Sequence, residues 1–166
     1  MALDLGKLLI IASLAAFAGC ATPPEGPAYP EAKASAVKPG HALLYVFREY
    51  AEPTGFAAKI YVDGQEITSL SQGGFTWVYA QPGMRRITST WAGSQDPGAI
   101  AVNLGQDKTY YLEVKGRAKS TMHGMVGIVP IVSLQMGSGF VLTDPESSEV
   151  RLAKCCRFQK PLREEY

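Results

Sequence analysis

The residues best suited to chemistry in this chain are three cysteines, Cys20, Cys155 and Cys156, and two histidines, His41 and His123. A thiolate is a nucleophile and a soft metal ligand. An imidazole acts as base or ligand near neutral pH. The two histidines lie far apart in sequence, and no HExxH, GxSxG, P-loop or CxxC pattern accompanies them. No catalytic residue is therefore assigned, and an enzyme is not expected. Met122-His123-x-Met125, with Met136 further on, offers thioethers and an imidazole, ligands that suit Cu(I). Methionine in an apolar run is usually core filler, so neither a metal nor a cofactor is expected. The neighbours Cys155-Cys156 leave three readings open: one buried and one exposed thiol, pairing between molecules, or a local redox or metal role.

Cys20 has the clearest context. Leu8 to Ala18 is an apolar run of 11 residues interrupted only by Ser13, with Lys7 before it. A bilayer-spanning helix needs about 20 apolar residues, whereas a shorter run matches a secretory signal. The run ends Phe17-Ala18-Gly19-Cys20, which resembles the bacterial lipobox. That resemblance implies cleavage between Gly19 and Cys20 and a diacylglycerol on the Cys20 thiol. Two or three acyl chains anchor stably where one is marginal. Ala21 is not the Asp that, by the same resemblance, favours retention at the inner membrane. The expected location is the cell envelope, anchored by lipid to the outer membrane and facing the periplasm.

Charge adds little, with 16 Lys+Arg against 15 Asp+Glu and a net charge of +1. That balance gives no case for a nucleic-acid partner. The expected partners are the membrane, through the N-terminal lipid, and an envelope protein or peptidoglycan.

The organisation expected is a signal peptide over 1–19, a lipidated cysteine and proline-rich tether over 20–40, a domain over 41–158 and a polar, frayed tail over 159–166. Pro23, Pro24, Pro27, Pro30 and Pro39 fall in the tether, where they favour an extended chain. The domain itself reads as strands. Leu43, Tyr45 and Phe47 alternate with Leu44 and Val46, so β structure with two apolar faces is expected, as in a central strand. Asp63-Gly64 is a type I′ hairpin signal. About seven strands follow one another to Lys115 at the spacing of small sandwiches and barrels. Phe75, Trp77, Tyr79 and Trp91 are read chiefly as core, with a glycan- or peptide-binding aromatic face as the alternative.

Ser120 to Thr143 carries no Asp, Glu, Lys or Arg over 24 residues. One or two buried strands with a glycine loop are expected there, with a partner- or membrane-binding patch as the alternative. Asp144-Pro145-Glu146 then signals a helix start, with Val150, Ala153 and Cys156 on one face and an end near Phe158.

The run Ala42-Leu43-Leu44-Tyr45-Val46-Phe47-Arg48 resembles the opening strand of bacterial lipoproteins carrying the domain of unknown function 2846. Ile60-Tyr61-Val62-Asp63-Gly64, Pro82-Gly83 and Lys108-Thr109-Tyr110-Tyr111-Leu112 follow in that family's order. The resemblance implies a mainly β fold: a small antiparallel β-sandwich, transthyretin-like or immunoglobulin-like, with a short C-terminal helix. It brings no catalytic residue. A non-enzymatic interaction or structural module is expected, with a periplasmic ligand-binding module for glycan or a soft metal as the alternative.

Overall fold

The computed structural model describes residues 24–51, 55–92, 94, 97–126 and 129–166, with backbone alone over 117–126 and 129–136. The signal-peptide positions and Cys20 lie outside the described residues. Among the described residues nine strands and two helices follow one another: α1 (Tyr29–Ala32), β1 (Ala42–Arg48), β2 (Ala58–Val62), β3 (Gln65–Leu70), β4 (Gly74–Ala80), β5 (Gly83–Thr90), β6 (Gly98–Leu104), β7 (Thr109–Val126), β8 (Val129–Thr143), α2 (Pro145–Cys155) and β9 (Arg157–Phe158). One sheet runs β8-β7-β1-β4-β9 and the other β3-β2-β5-β6. The expected small β-sandwich with a short C-terminal helix is the observed architecture. Pairing is antiparallel except for β1 with β7 and β4 with β9. The first exception has a topological cause: the chain crosses to the second sheet through β5 and β6, so β7 re-enters the first sheet in β1's direction.

β1 is the central strand its two-sided pattern predicts, buried along its length. Ala42, Leu44 and Val46 face the second sheet and join Ile60, Ile87 and Leu112 in the inter-sheet core. Leu43, Tyr45 and Phe47 face the other way, into a second apolar layer. The Asp63-Gly64 hairpin has both residues at positive φ, 48° and 82°, the pair of left-handed conformations a type I′ turn requires. The sheets are also tied by hydroxyls. Ser89 Oγ and the Gly98 amide both donate to Ser138 Oγ, at 2.7 and 2.6 Å, joining β5 and β6 to β8.

Three expectations change. Residues 24–40 do not run as a solvated tether: Tyr29 is 3% exposed and Ala34 is buried in the second core. Tyr29 supplies the apolar area that pulls this segment onto the sheet. The approach is close, because a Cβ at Gly26 would lie 1.9 Å from the Phe158 carbonyl oxygen. The tail is not frayed either. The Leu162 amide donates to the Ile67 carbonyl, and the Tyr166 amide to the Tyr79 carbonyl. The tail thus closes the seam between β3 of one sheet and β4 of the other.

Finally, α2 starts as expected, with the Asp144 carboxylate capping the Ser147 amide at 2.9 Å and Pro145 in the first turn. It ends at Cys155, however, and Phe158 pairs with Phe75 of β4. Its buried residues are Ser148 and Leu152, while Val150 is exposed; Cys156, also buried, is the extended residue just past its end. Leu152 enters the second core, and Ser148 bonds Thr143 at 2.6 Å, which sets the rotation of the helix.

Candidate functional site

The outer face of the five-stranded sheet gathers most of the polar and aromatic side chains that could do something. β4 presents Phe75, Trp77 and Tyr79 there, and β1 and β7 present Tyr45 and Tyr111. They do not form an open binding face. Trp77 Nε1 donates to the Ala32 carbonyl at 2.9 Å and the Tyr79 hydroxyl to the Ala36 carbonyl at 3.0 Å. Phe75 is fully buried and meets Tyr29 edge-on at 5.4 Å. Trp91 belongs elsewhere: it lies in the inter-sheet core, with the Arg48 guanidinium 5.3 Å from its ring. The four aromatics thus divide between two cores, and the alternative of an exposed aromatic face is corrected. Residues 29–36 cover that face, which strand alternation alone could not reveal.

A cleft lies over this face. It encloses about 340 Å³ between Ala34–Val37, the rings of Tyr45 and Tyr111, and Glu149 of α2. That volume falls in the range of small-ligand sites. The two rings stack in parallel at 4.9 Å. The Tyr45 hydroxyl accepts from the Ala34 amide at 2.9 Å. The Tyr111 hydroxyl donates to Glu149 Oε1 at 2.8 Å, and Lys33 Nζ donates to the same oxygen at 2.6 Å. Burial pushes both phenols well above their ordinary value. Both therefore stay protonated near neutral pH and serve there as neutral hydrogen-bonding groups. The Lys33 hydrogen bond holds Glu149 below the usual carboxylate range and raises Lys33 in return.

In chemical terms this is a latch. Lys33 belongs to the N-terminal segment, Glu149 to α2 and Tyr111 to β7, and one carboxylate oxygen joins all three. The sign of its pH dependence follows. A carboxylate lowered on folding stabilises above its unfolded pKa and loses that contribution as pH falls through the folded value. The Lys33–Glu149 pair is substantially exposed, so solvent screens much of it. Acidification through and below the ordinary carboxylate range is expected to loosen residues 29–37 before the sandwich unfolds. Hydrogen exchange of the Ala34 amide, followed against pH, would read this; uniform exchange across the fold would contradict it.

A second polar group fastens α2. Glu113, 2% exposed, receives Arg151 at 2.5 Å and pairs also with Lys115, while Arg151 reaches Glu49. No isolated feature of the sequence marks Glu113 as buried. Its position two residues after Tyr111 on the same face is the one available signal.

Among the described residues no three His, Cys, Asp or Glu side chains converge as metal ligands. Backbone register separates the methionines: Met122 pairs with Val132 and Met136 with Ala118, four residues along the ribbon, about 13 Å. His41 sits at the start of β1, where Nδ1 bonds the Pro39 carbonyl. Cys155 and Cys156 are joined by a disulfide, with Cα atoms 3.7 Å apart. The helix would oppose that bond in its interior. The bond instead sits at the helix terminus, where Cys156 is already extended. No family model and no curated protein matches this chain.

Proposed function

We propose that the chain is a non-enzymatic, lipid-anchored cell-envelope protein of the kind that carries the domain of unknown function 2846. It would act as an interaction or structural module at the periplasmic face of the outer membrane. One observation carries this reading. Of three cysteines, two are joined to each other, and the remaining thiol, Cys20, directly follows the apolar run and Ala18-Gly19. The disulfide supports an oxidising compartment. The small residues before Cys20 support processing there. The docked segment adds a geometric consequence: the seven residues from Cys20 to Pro27 reach at most about 25 Å. The module is then held close to its membrane rather than on a long tether. Its partner is a protein or glycan of the envelope, met by the sandwich surface.

Replacing Cys20 by Ala is expected to abolish palmitate labelling and to release the protein from the membrane fraction. Retention of the variant in membranes, with labelling lost, would show that another segment anchors it.

A further inference from the structure

The capping signal that opens α2 has no counterpart at its end. From Leu152 to Lys160 there is no Gly, Asn or Pro, so residue type alone lets the helix run on to Phe158. It stops at Cys155 instead, and the Cys155–Cys156 disulfide sits at the stop. Neighbouring helical residues point about 100° apart, whereas the Cβ atoms of a disulfide lie only about 3.8 Å from each other. The bond therefore opposes helical geometry at Cys156, which is extended, with φ −124° and ψ 142°. From there the chain continues as β9.

β9 fastens the cover over the outer face. The Arg157 amide donates to the Gly73 carbonyl at 3.0 Å, and the Phe158 amide to the Pro27 carbonyl at 2.8 Å. Ala28 bridges Arg157 in antiparallel register. The Phe158 ring centroid lies 5.5 Å from that of Phe75 and 5.9 Å from that of Trp77. In a helix continued past Cys155, Phe158 would point about 120° away from the buried Leu152. Arg157 and Phe158 would then leave Gly73, Pro27, Ala28 and the two rings. Access to the bond is one-sided: Cys156 is 3% exposed, whereas Cys155 is only half-buried. Exposed Lys154 and Arg157 flank the pair in the chain, and such positive charge favours an approaching thiolate.

From the bond's place at the helix stop and the accessible Cys155 sulfur, we infer that Cys155–Cys156 is a site of thiol–disulfide exchange with a dithiol reductant, and that opening it releases the cover formed by residues 26–37. A thiolate of the dithiol attacks Cys155 Sγ. The bond between the cysteines breaks, and Cys156 leaves as a thiolate that takes up a proton. The reductant's second thiolate then attacks its own sulfur in the mixed disulfide and expels Cys155, which is protonated in turn. The cysteines gain the electron pair and the protons that the dithiol loses as it becomes a disulfide. Residues 156–158 are then free to join α2. Phe75 and Trp77 lose Phe158 beside them and the N-terminal segment above them, so the aromatic face that the oxidised protein keeps covered becomes accessible. Neither step involves Cys20 or its lipid.

The test follows amide hydrogen exchange in the full-length protein near neutral pH, before and after reduction by dithiothreitol, with alkylation and mass spectrometry showing that the pair has opened. On reduction the amides of Ala34 and Phe158 are expected to exchange on the order of tenfold faster, while those of Val46 and Val78, in the β1–β4 ladder, keep their rates. Carbon chemical shifts of Arg157 and Phe158 should move from strand towards helix values. The double variant Cys155→Ser, Cys156→Ser should show the released state without reductant and no response to it. Cys155→Ser alone, which keeps the buried Cys156, replaces it if near-ultraviolet circular dichroism shows the double variant misfolded. Unchanged exchange at Ala34 and Phe158 with the pair open overturns the release. Equal acceleration at Val46 and Val78 also overturns it, and makes the bond a staple of the whole fold. A pair that dithiothreitol fails to open while the protein stays folded overturns the exchange site.

Discussion

Replacing Arg48 by Ala is expected to cost about 3–5 kcal/mol, from lost charged hydrogen bonds and the cavity left behind. Arg48 is the last residue of β1, fully buried and among the largest side chains inside the protein. Its guanidinium donates to the Ala51 carbonyl at 2.8 Å, the Leu70 carbonyl at 3.2 Å and the Phe56 carbonyl. Three chain segments are thereby tied to one strand end: both sides of the β1–β2 loop and the end of β3. Removing the side chain takes a donor from each carbonyl and a cation from the face of Trp91. Lysine is expected to rescue little, since one ammonium on a flexible stem does not reproduce a planar fork that meets diverging acceptors. Denaturant unfolding of Arg48→Ala and Arg48→Lys would measure both. A loss below about 1 kcal/mol for alanine, the scale of an ordinary surface change, would mean that the loop holds itself.

Phe75→Ala is expected to be comparably damaging, at about 3–5 kcal/mol and a fall in Tm of roughly 10 °C. The phenyl ring is fully buried between Tyr29 and Phe158, with ring centroids at 5.4 and 5.5 Å. These contacts belong to the N-terminal segment and to the strand after α2. The variant should therefore lose both coverings first, and proteolysis within residues 24–40 should accelerate more than cleavage within the inter-sheet core. This outcome separates a packing role from a binding role. A Phe75→Ala protein with unchanged Tm and altered affinity for envelope material would restore the aromatic face as an interaction surface.

Much of the sandwich was legible in the chain because strand signals are local. Alternation at Leu43–Phe47, the turn residues Asp63-Gly64 and the capping triple Asp144-Pro145-Glu146 each act within a few positions of themselves. Each appears in the structure where its chemistry places it. The covering of the outer face was not legible. Prolines disfavour regular hydrogen bonding, and that made residues 21–40 read as a tether. One well-placed aromatic, Tyr29, outweighs that tendency once a sheet face with three tyrosines, two phenylalanines and a tryptophan lies beneath it. Glu113 and Arg48 show the same limit: a charged residue in a strand reads as exposed until its partners arrive from α2 or from a loop.

What the sequence by itself determined is the set of short-range choices: strand periods, turn types, a helix start and the isolation of Cys20 behind an apolar run. These depend on backbone sterics and side-chain alternation, which need no distant partner. Only the tertiary structure decided that β7 returns parallel to β1 and that Lys33, Tyr111 and Glu149 meet at one carboxylate oxygen. Those relations join residues about 40 to 120 positions apart, a separation over which pairing is set by the packing of whole layers rather than by local propensity.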